Sequence, residues 1–307
     1  MQKIDFHKQK TARKRRKKAG ADNIDIRWKS GLFLLPSILG VTVFFLLPFL
    51  VVIYYSVINN PIQKEFVLFD NFVRVVQNQA FRLAAANTFK FSFTAVPLAV
   101  VLSLFLAFQL DKAIPYKSYF RTFLLSPMMV PTASVVLIWQ VLFHYNGVVN
   151  QWTALWGSDK IDWLKSEYAP FVLVILFVWK NLGYNMILFM AAISSIPKEV
   201  LEVAVLESAN NFQIFWHIKL RYLSSTILFV TIMSLINSFK IFREVYLLTG
   251  DYPYDSLYLL QHFMNNTFRS LDYQKLSAAA IIMSLFMLVL IGILFLTENH
   301  FGKDMEG

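Results

Sequence analysis

The sequence predicts an all-α integral membrane protein with six transmembrane helices and a helical segment between the fourth and fifth, and three observations carry that prediction. The first is composition: 57% of the 307 residues are hydrophobic and 16% are charged, with a mean hydropathy of +0.51, whereas soluble domains keep the apolar share at about half or less. The second is the length of the apolar blocks. A hydrocarbon core about 30 Å thick needs about twenty residues at roughly 1.5 Å each, and blocks of that size lie at 31–57, 88–110, 119–143, 169–194, 223–248 and 275–297. The third is the lack of alternation. Every side chain from Val172 to Val178 is apolar, which suits a helix that satisfies its own backbone in lipid and not a barrel strand with one wet face.

The first block reads as a retained anchor, because it exceeds a signal-peptide core, lacks a small-x-small cleavage site and is followed by five more blocks. Most of the formal charge of +10 precedes it, with the run Arg13, Lys14, Arg15, Arg16, Lys17 and Lys18 at its centre. A basic stretch ahead of a span is an orientation signal before it is a nucleic-acid surface. Six spans return both termini to one side, and the cations place that side in the cytoplasm. Lys112, Lys117 and Arg121 follow the second block and Lys198, Lys219 and Arg221 the fourth; the opposite connections hold Lys64, Arg74 and Arg82, then Lys160 and Lys165, then Arg269 alone, so with the basic tail the cations favour the inner side. The division expected is a cytoplasmic tail at 1–30, a membrane domain at 31–297 and a cytoplasmic tail at 298–307, the last holding Asp304 and Glu306. Pro36, Pro48, Pro97, Pro127, Pro131 and Pro170 fall in or beside the blocks, and each removes a backbone donor, so kinks are expected there.

Several chemistries are excluded. With no cysteine there is no disulfide, thiolate zinc site, iron–sulfur cluster or cysteine nucleophile. The five histidines, His7, His144, His217, His262 and His300, form no metal-binding spacing. No G-x-S-x-G elbow occurs, and the one Gly-Lys pair, Gly302-Lys303, lacks the glycine spacing that a phosphate-cradling loop requires. The chain is read as a non-enzyme.

The segment from Ile196 to Ser224 is far longer than a tight connection needs. Pro197 suits a helix start, Glu199 and Glu202 share a face near the positive end of the helix dipole, and Asn210 and Asn211 mark a turn. Phe212, Phe215, Trp216 and Lys219 then recur at helical spacing. The expected form is two short helices joined by a turn, either an amphipathic pair lying on the membrane or a docking element.

This segment resembles the EAA loop of ABC importer permeases, through Glu202, Val203 and Ala204, then Ser208 and Ala209, then Phe212, Phe215, Trp216, Ile218 and Leu220. The blocks NTFKFSFTAVPLA at Asn87, YFRTFLLSPMMVP at Tyr119, VWKNLGYNMILFMAAISSIPKE at Val178 and FKIFREVYLLTG at Phe239 look like the carbohydrate-uptake branch of that family. The resemblance implies a permease subunit of a bacterial importer for a sugar or oligosaccharide, in the cytoplasmic membrane. It implies a second permease, two ATP-binding subunits and an extracytoplasmic solute-binding protein as partners, with no nucleic acid. It also implies no cofactor in this chain, ATP and magnesium being held by the partner subunits. The segment at about 196–223 would be the coupling helix, with Glu202 pairing a partner cation, Ala204 and Ala209 allowing close approach, Ser208 at the turn, and Phe212 and Phe215 as apolar anchors. Ser208 stands where the family has glycine and Arg221 where it has proline. Arg243 and the run Gly250-Asp251-Tyr252-Pro253 also depart from the pattern.

Polar groups inside spans mark a cavity or a partner. Asn181, Tyr184 and Asn185 in the fourth block and Ser234, Asn237 and Lys240 in the fifth fall at matching depth. They are candidates for a substrate pathway, with Trp179 or Tyr184 offering a ring face. The alternative is that the asparagines join neighbouring helices and that Lys240 and Glu244, four apart, satisfy each other. Lys240 with Arg243 would permit an anionic ligand. The competing function is an ion-coupled secondary transporter without an ATPase, for which the spans offer little acid beyond Glu244.

Overall fold

The computed structural model describes residues 34–112 and 115–302. The basic tail expected at 1–30 and residues 303–307 lie outside the described residues, and 298–302 continue the last helix. In chain order the helices are α1 Leu34–Ser56, α2 Asp70–Gln77, α3 Gln79–Asp111, α4 Lys117–Met129, α5 Thr132–Leu142 and α6 Val148–Leu155. They continue as α7 Ala169–Ser194, α8 Lys198–Leu206, α9 at 211–222, α10 Ser224–Phe239, α11 Phe242–Thr249, α12 Leu260–Arg269 and α13 Tyr273–Gly302. Extended pairing among the described residues is limited to an isolated bridge between Ile58 and Phe66. The all-helical expectation holds.

Five helical stretches are long and apolar enough to cross a membrane: α1, α3, α7, α10 with α11, and α13. The block at 119–143 is different. It is not one straight span but two helices, α4 and α5, bent by 98°. Val130 is extended ahead of Pro131, the conformation that a following proline ring enforces, and Pro131 then starts α5. The kink expected at Pro131 is therefore a full break, whereas Pro127 lies inside α4 without interrupting it, and a count of six requires taking the bent pair as one span. The second span also begins earlier than 88. Asn78 accepts the backbone N–H of Phe81 at 3.1 Å and caps α3 at Gln79, since Arg82 and Asn87 end an apolar run but not a helix. Pro97 lies inside α3 without interrupting it. Pro48 follows a widened π turn at Thr42–Leu46, which moves the carbonyls away from its ring. Pro170 sits in the first turn of α7, where no donor is missed.

The centre is the pairing of α3 with α7, flanked by α10. Small residues Ser92, Ala95, Ala99 and Ser103 of α3 are buried and let the helices approach, as membrane packing requires. Phe91 of α3 meets Phe177 of α7 edge-on, with ring centres 5.5 Å apart. α4 packs on the same α7 at Gly183, where any Cβ would stand 2.0 Å from the Leu124 carbonyl oxygen. α1 and α13 lie against each other at the edge, Tyr55 meeting Tyr273 at 6.3 Å. Their apolar windows are 0% and 6% buried, against 44% and 50% for α3 and α7. Those outer helices expose apolar surface that only lipid or another membrane subunit would cover.

Candidate functional site

The segment between α7 and α10 forms the two short helices that its sequence predicts. α8 closes in a Schellman turn: the Ala209 N–H donates to the Ala204 carbonyl at 3.0 Å and the Ser208 N–H to the Val205 carbonyl at 3.0 Å. Ser208 takes the left-handed position of that motif, with φ of 63°, so the serine occupies a glycine conformation. Asn210 then starts α9 with a reciprocal cap, its side chain accepting from Gln213 N–H and the Gln213 side chain from Asn210 N–H, both at 2.8 Å. Two well-capped ends fix a rigid corner.

Around that corner the side chains separate by face. Ala204 is buried, Ala209 is half-buried and Leu223 is fully enclosed. Glu202 is exposed, and its carboxylate takes no ion pair among the described residues. Val203, Leu206, Phe212 and Trp216 are exposed as well, Leu206 at 84%. Phe212 and Phe215 therefore diverge. Phe212 points outward beside Trp216, whereas Phe215 turns inward against Phe108 of α3, with centres 5.2 Å apart. Glu202 thus stands among exposed apolar side chains on two short, capped helices.

The polar residues of α7 and α10 do meet, and they meet each other. Asn237 donates to Asn181 at 3.0 Å, and Asn185 donates to Ser234 at 2.9 Å. Asn185 and Ser234 are enclosed, each 1% exposed, so in this conformation they join two helices. Tyr184 is half-buried, while Lys240 is exposed at the break between α10 and α11. Trp179 packs near Trp139.

Glu244 does not pair with Lys240. Its partner is Lys180 of α7, which also donates to Thr132 of α5 at 3.2 Å. This ion pair ties α7, α11 and the start of the broken α5 together in the membrane-length region. Sequence reasoning overlooked Lys180, although a lone cation inside a 26-residue apolar helix is itself a signal, since an intramembrane charge needs a partner.

At the end of the bundle away from the short helices, the connections are held by side chains. Asn150 is enclosed and makes four bonds: it donates to the Tyr145 and Ile161 carbonyls and accepts from Ile161 N–H and the Trp163 indole. Gln140 ties α5 to the α11 backbone at Leu247, 3.1 Å away. Asp251, in the run that departs from the family pattern, accepts from Arg269 at 2.6 Å, and Arg269 also donates to Tyr246 at 2.9 Å. A cavity of about 590 Å³ opens there beside Tyr145, Asp162, Lys165, Tyr252 and Tyr254. Nearby His262 is fully enclosed. It accepts the Leu259 N–H at 3.3 Å and leaves Nε2 without a partner. Burial pushes its pKa down from 6.5 to about 4, against the opposing pull of Asp251, so the ring is neutral near pH 7.

Residues 99–307 match the family described as binding-protein-dependent transport system inner membrane component. A trehalose/maltose transport system permease protein, MalF, of Thermococcus litoralis is 29% identical over 280 residues, covering 89% of this chain and 94% of that relative. The sn-glycerol-3-phosphate transport system permease protein UgpA of Pectobacterium atrosepticum is 28% identical over 272 residues, 87% of this chain and 91% of the relative. Among solved structures, a bacterial ABC transporter involved in the import of the acidic polysaccharide alginate superposes with a TM-score of 0.77 at 22% identity, covering 93% of this chain and 99% of that one.

Proposed function

We propose, from the premise that this chain belongs to the family of binding-protein-dependent transport system inner-membrane components, that it is a permease subunit of an ATP-driven importer for a sugar, oligosaccharide or related hydroxyl-rich solute. The cargoes named for its relatives, trehalose or maltose and sn-glycerol-3-phosphate, supply the solute class. Family membership favours this function over an ion-coupled carrier. In the complete importer the chain pairs with a second permease, docks on two cytoplasmic ATP-binding subunits that hold ATP and magnesium, and receives solute from an extracytoplasmic binding protein. The proposed topology has six crossings, with the α4–α5 pair as the third. The 1–30 tail, the 298–307 tail and the α8–α9 corner then lie inside.

The observation that carries the coupling role is that corner: Glu202, with no ion pair among the described residues, stands among exposed Val203, Leu206 and Phe212 on two capped short helices. A groove on the ATP-binding subunit takes the apolar edge, and a cation there takes the carboxylate. Ala204 and Ser208 shape the turn, Ala209 keeps it close, and Phe215 transmits motion to α3 through Phe108. ATP-driven closure of the motor then swings α3 and α7 with the corner and alternates access to the pathway. Tyr184 and Lys240 face that pathway, and Asn181 with Asn237, half-buried and mutually bonded, exchange their own bond for one to solute.

Glu202→Lys tests this. The expected result is an assembled or partly assembled complex whose ATP turnover no longer responds to solute-loaded binding protein and whose uptake is lost. Normal uptake by the variant would contradict the role of Glu202.

A further inference from the structure

Val101, Leu104, Phe105 and Phe108 recur on one face of the last turns of α3. Opposite them stand Ile214 and Phe215 of α9, and the two helices enclose a groove of about 590 Å³. Its walls are mostly hydrocarbon, with Asn211 the polar side chain beside them. Val101 and Phe105, at 62% and 56% exposure, continue it outward along the span. Its rim is cationic: Lys112 closes the end of α3 and Lys219 the far turn of α9.

Neither ammonium is used up. Lys219 Nζ lies 5.6 Å from the centre of the Phe108 ring, and Lys112 donates one bond, to Gln109 at 2.9 Å, whereas an ammonium has three donors. Asp111 shares the rim and is exposed. Lys117 stands beside it, donating to the Asp111 carbonyl at 3.4 Å, so cations outnumber the single carboxylate. α9 also widens into a π turn over Ile214–Lys219, along the wall of this groove, an uncommon geometry that tends to mark working surfaces.

We infer that this groove is a binding site for an anionic phospholipid of the cytoplasmic leaflet. One acyl chain lies along Val101, Phe105 and Phe108, and the headgroup phosphate sits between Lys112 and Lys219. The inference rests on the proposed orientation, which brings the end of α3 to the inner membrane surface, where paired lysines over an apolar slot match an anionic headgroup over a hydrocarbon tail. The lipid fills the space between the corner and α3 and so belongs to the path from motor to pathway.

Native mass spectrometry of the importer complex in mild detergent reads this directly, with phosphatidylglycerol and phosphatidylcholine of matched chains titrated as probes. The native complex is expected to prefer phosphatidylglycerol by roughly 10- to 30-fold, the increment that two lysines at a membrane surface supply. K112Q/K219Q is expected to lose that preference, while K198Q, outside the groove, keeps it. No preference in the native complex, an undiminished one in K112Q/K219Q, or a second permease found filling the groove by cross-linking from Phe105→Cys would each overturn the site. Subunit content and ATP turnover are measured on the same samples. A complex that contains an active ATPase yet ignores lipid charge sinks the lipid site alone, whereas a chain that assembles with no ATPase sinks the importer assignment.

Discussion

Ser208 shows how far a single residue is legible. As a departure from glycine it marks a position needing left-handed backbone, and the turn holds it at φ 63°. A side chain there costs about 1 kcal/mol, part of which glycine returns as lost chain entropy. Ser208→Gly is therefore expected to raise stability by up to about 0.5 kcal/mol, read as a slightly higher unfolding midpoint in detergent; a lower midpoint would mean that the serine hydroxyl contributes to the corner. His262 was legible only as a residue outside any metal spacing. Its enclosure comes from α12 packing beside Phe242, a tertiary fact. Folded, the ring stays neutral down to about pH 4, while unfolded it takes its proton near 6.5, so between these values the unfolded chain binds more protons. This contribution is whole above about pH 6.5 and is lost as pH falls toward 4, by at most about 3 kcal/mol. Thermal unfolding compared at about pH 7.5 and about pH 5 is expected to show a larger drop for the native chain than for His262→Phe. Equal drops would show that the imidazole is not the group that titrates.

At the scale of elements, the long helices could be read from length and apolarity, and their ends were off wherever polar side chains sit on a helix that continues into the interface, as at Gln79. The bent α4–α5 pair was half legible. Pro127 and Pro131 announce disturbance, but whether a helix bends or folds back depends on what its far half packs against, here α11. The Lys180–Glu244 pair with Thr132 fastens that returned half. The sequence offered Lys240 for Glu244 because i, i+4 neighbours are visible in one dimension, whereas Lys180 is 64 residues away. Removing one charge of such a pair strands the other, at a cost of about 3 kcal/mol or more, while removing both can be nearly neutral. Lys180→Met is thus expected to lower the unfolding midpoint sharply and Lys180→Met/Glu244→Leu to restore most of it. Additive losses in the double variant would show that the two charges do not depend on each other.

Across the whole molecule, composition and periodicity specify a bundle and its apolar exterior, and the peripheral α1 and α13 expose it as expected. They do not specify what covers the polar end, because a contact between chains leaves no pairing within one. Among the described residues, the edge built from Leu206, Phe212 and Glu202 stays exposed. Because the chain has no cysteine, one introduced thiol reports its own surroundings alone. The decisive measurement is thiol-to-amine cross-linking of Leu206→Cys in the assembled, transport-competent complex, with Tyr252→Cys at the opposite end as control. The account predicts an adduct between Leu206→Cys and the ATP-binding subunit and none from Tyr252→Cys. A complex that transports normally yet gives no such adduct from Leu206→Cys would contradict it.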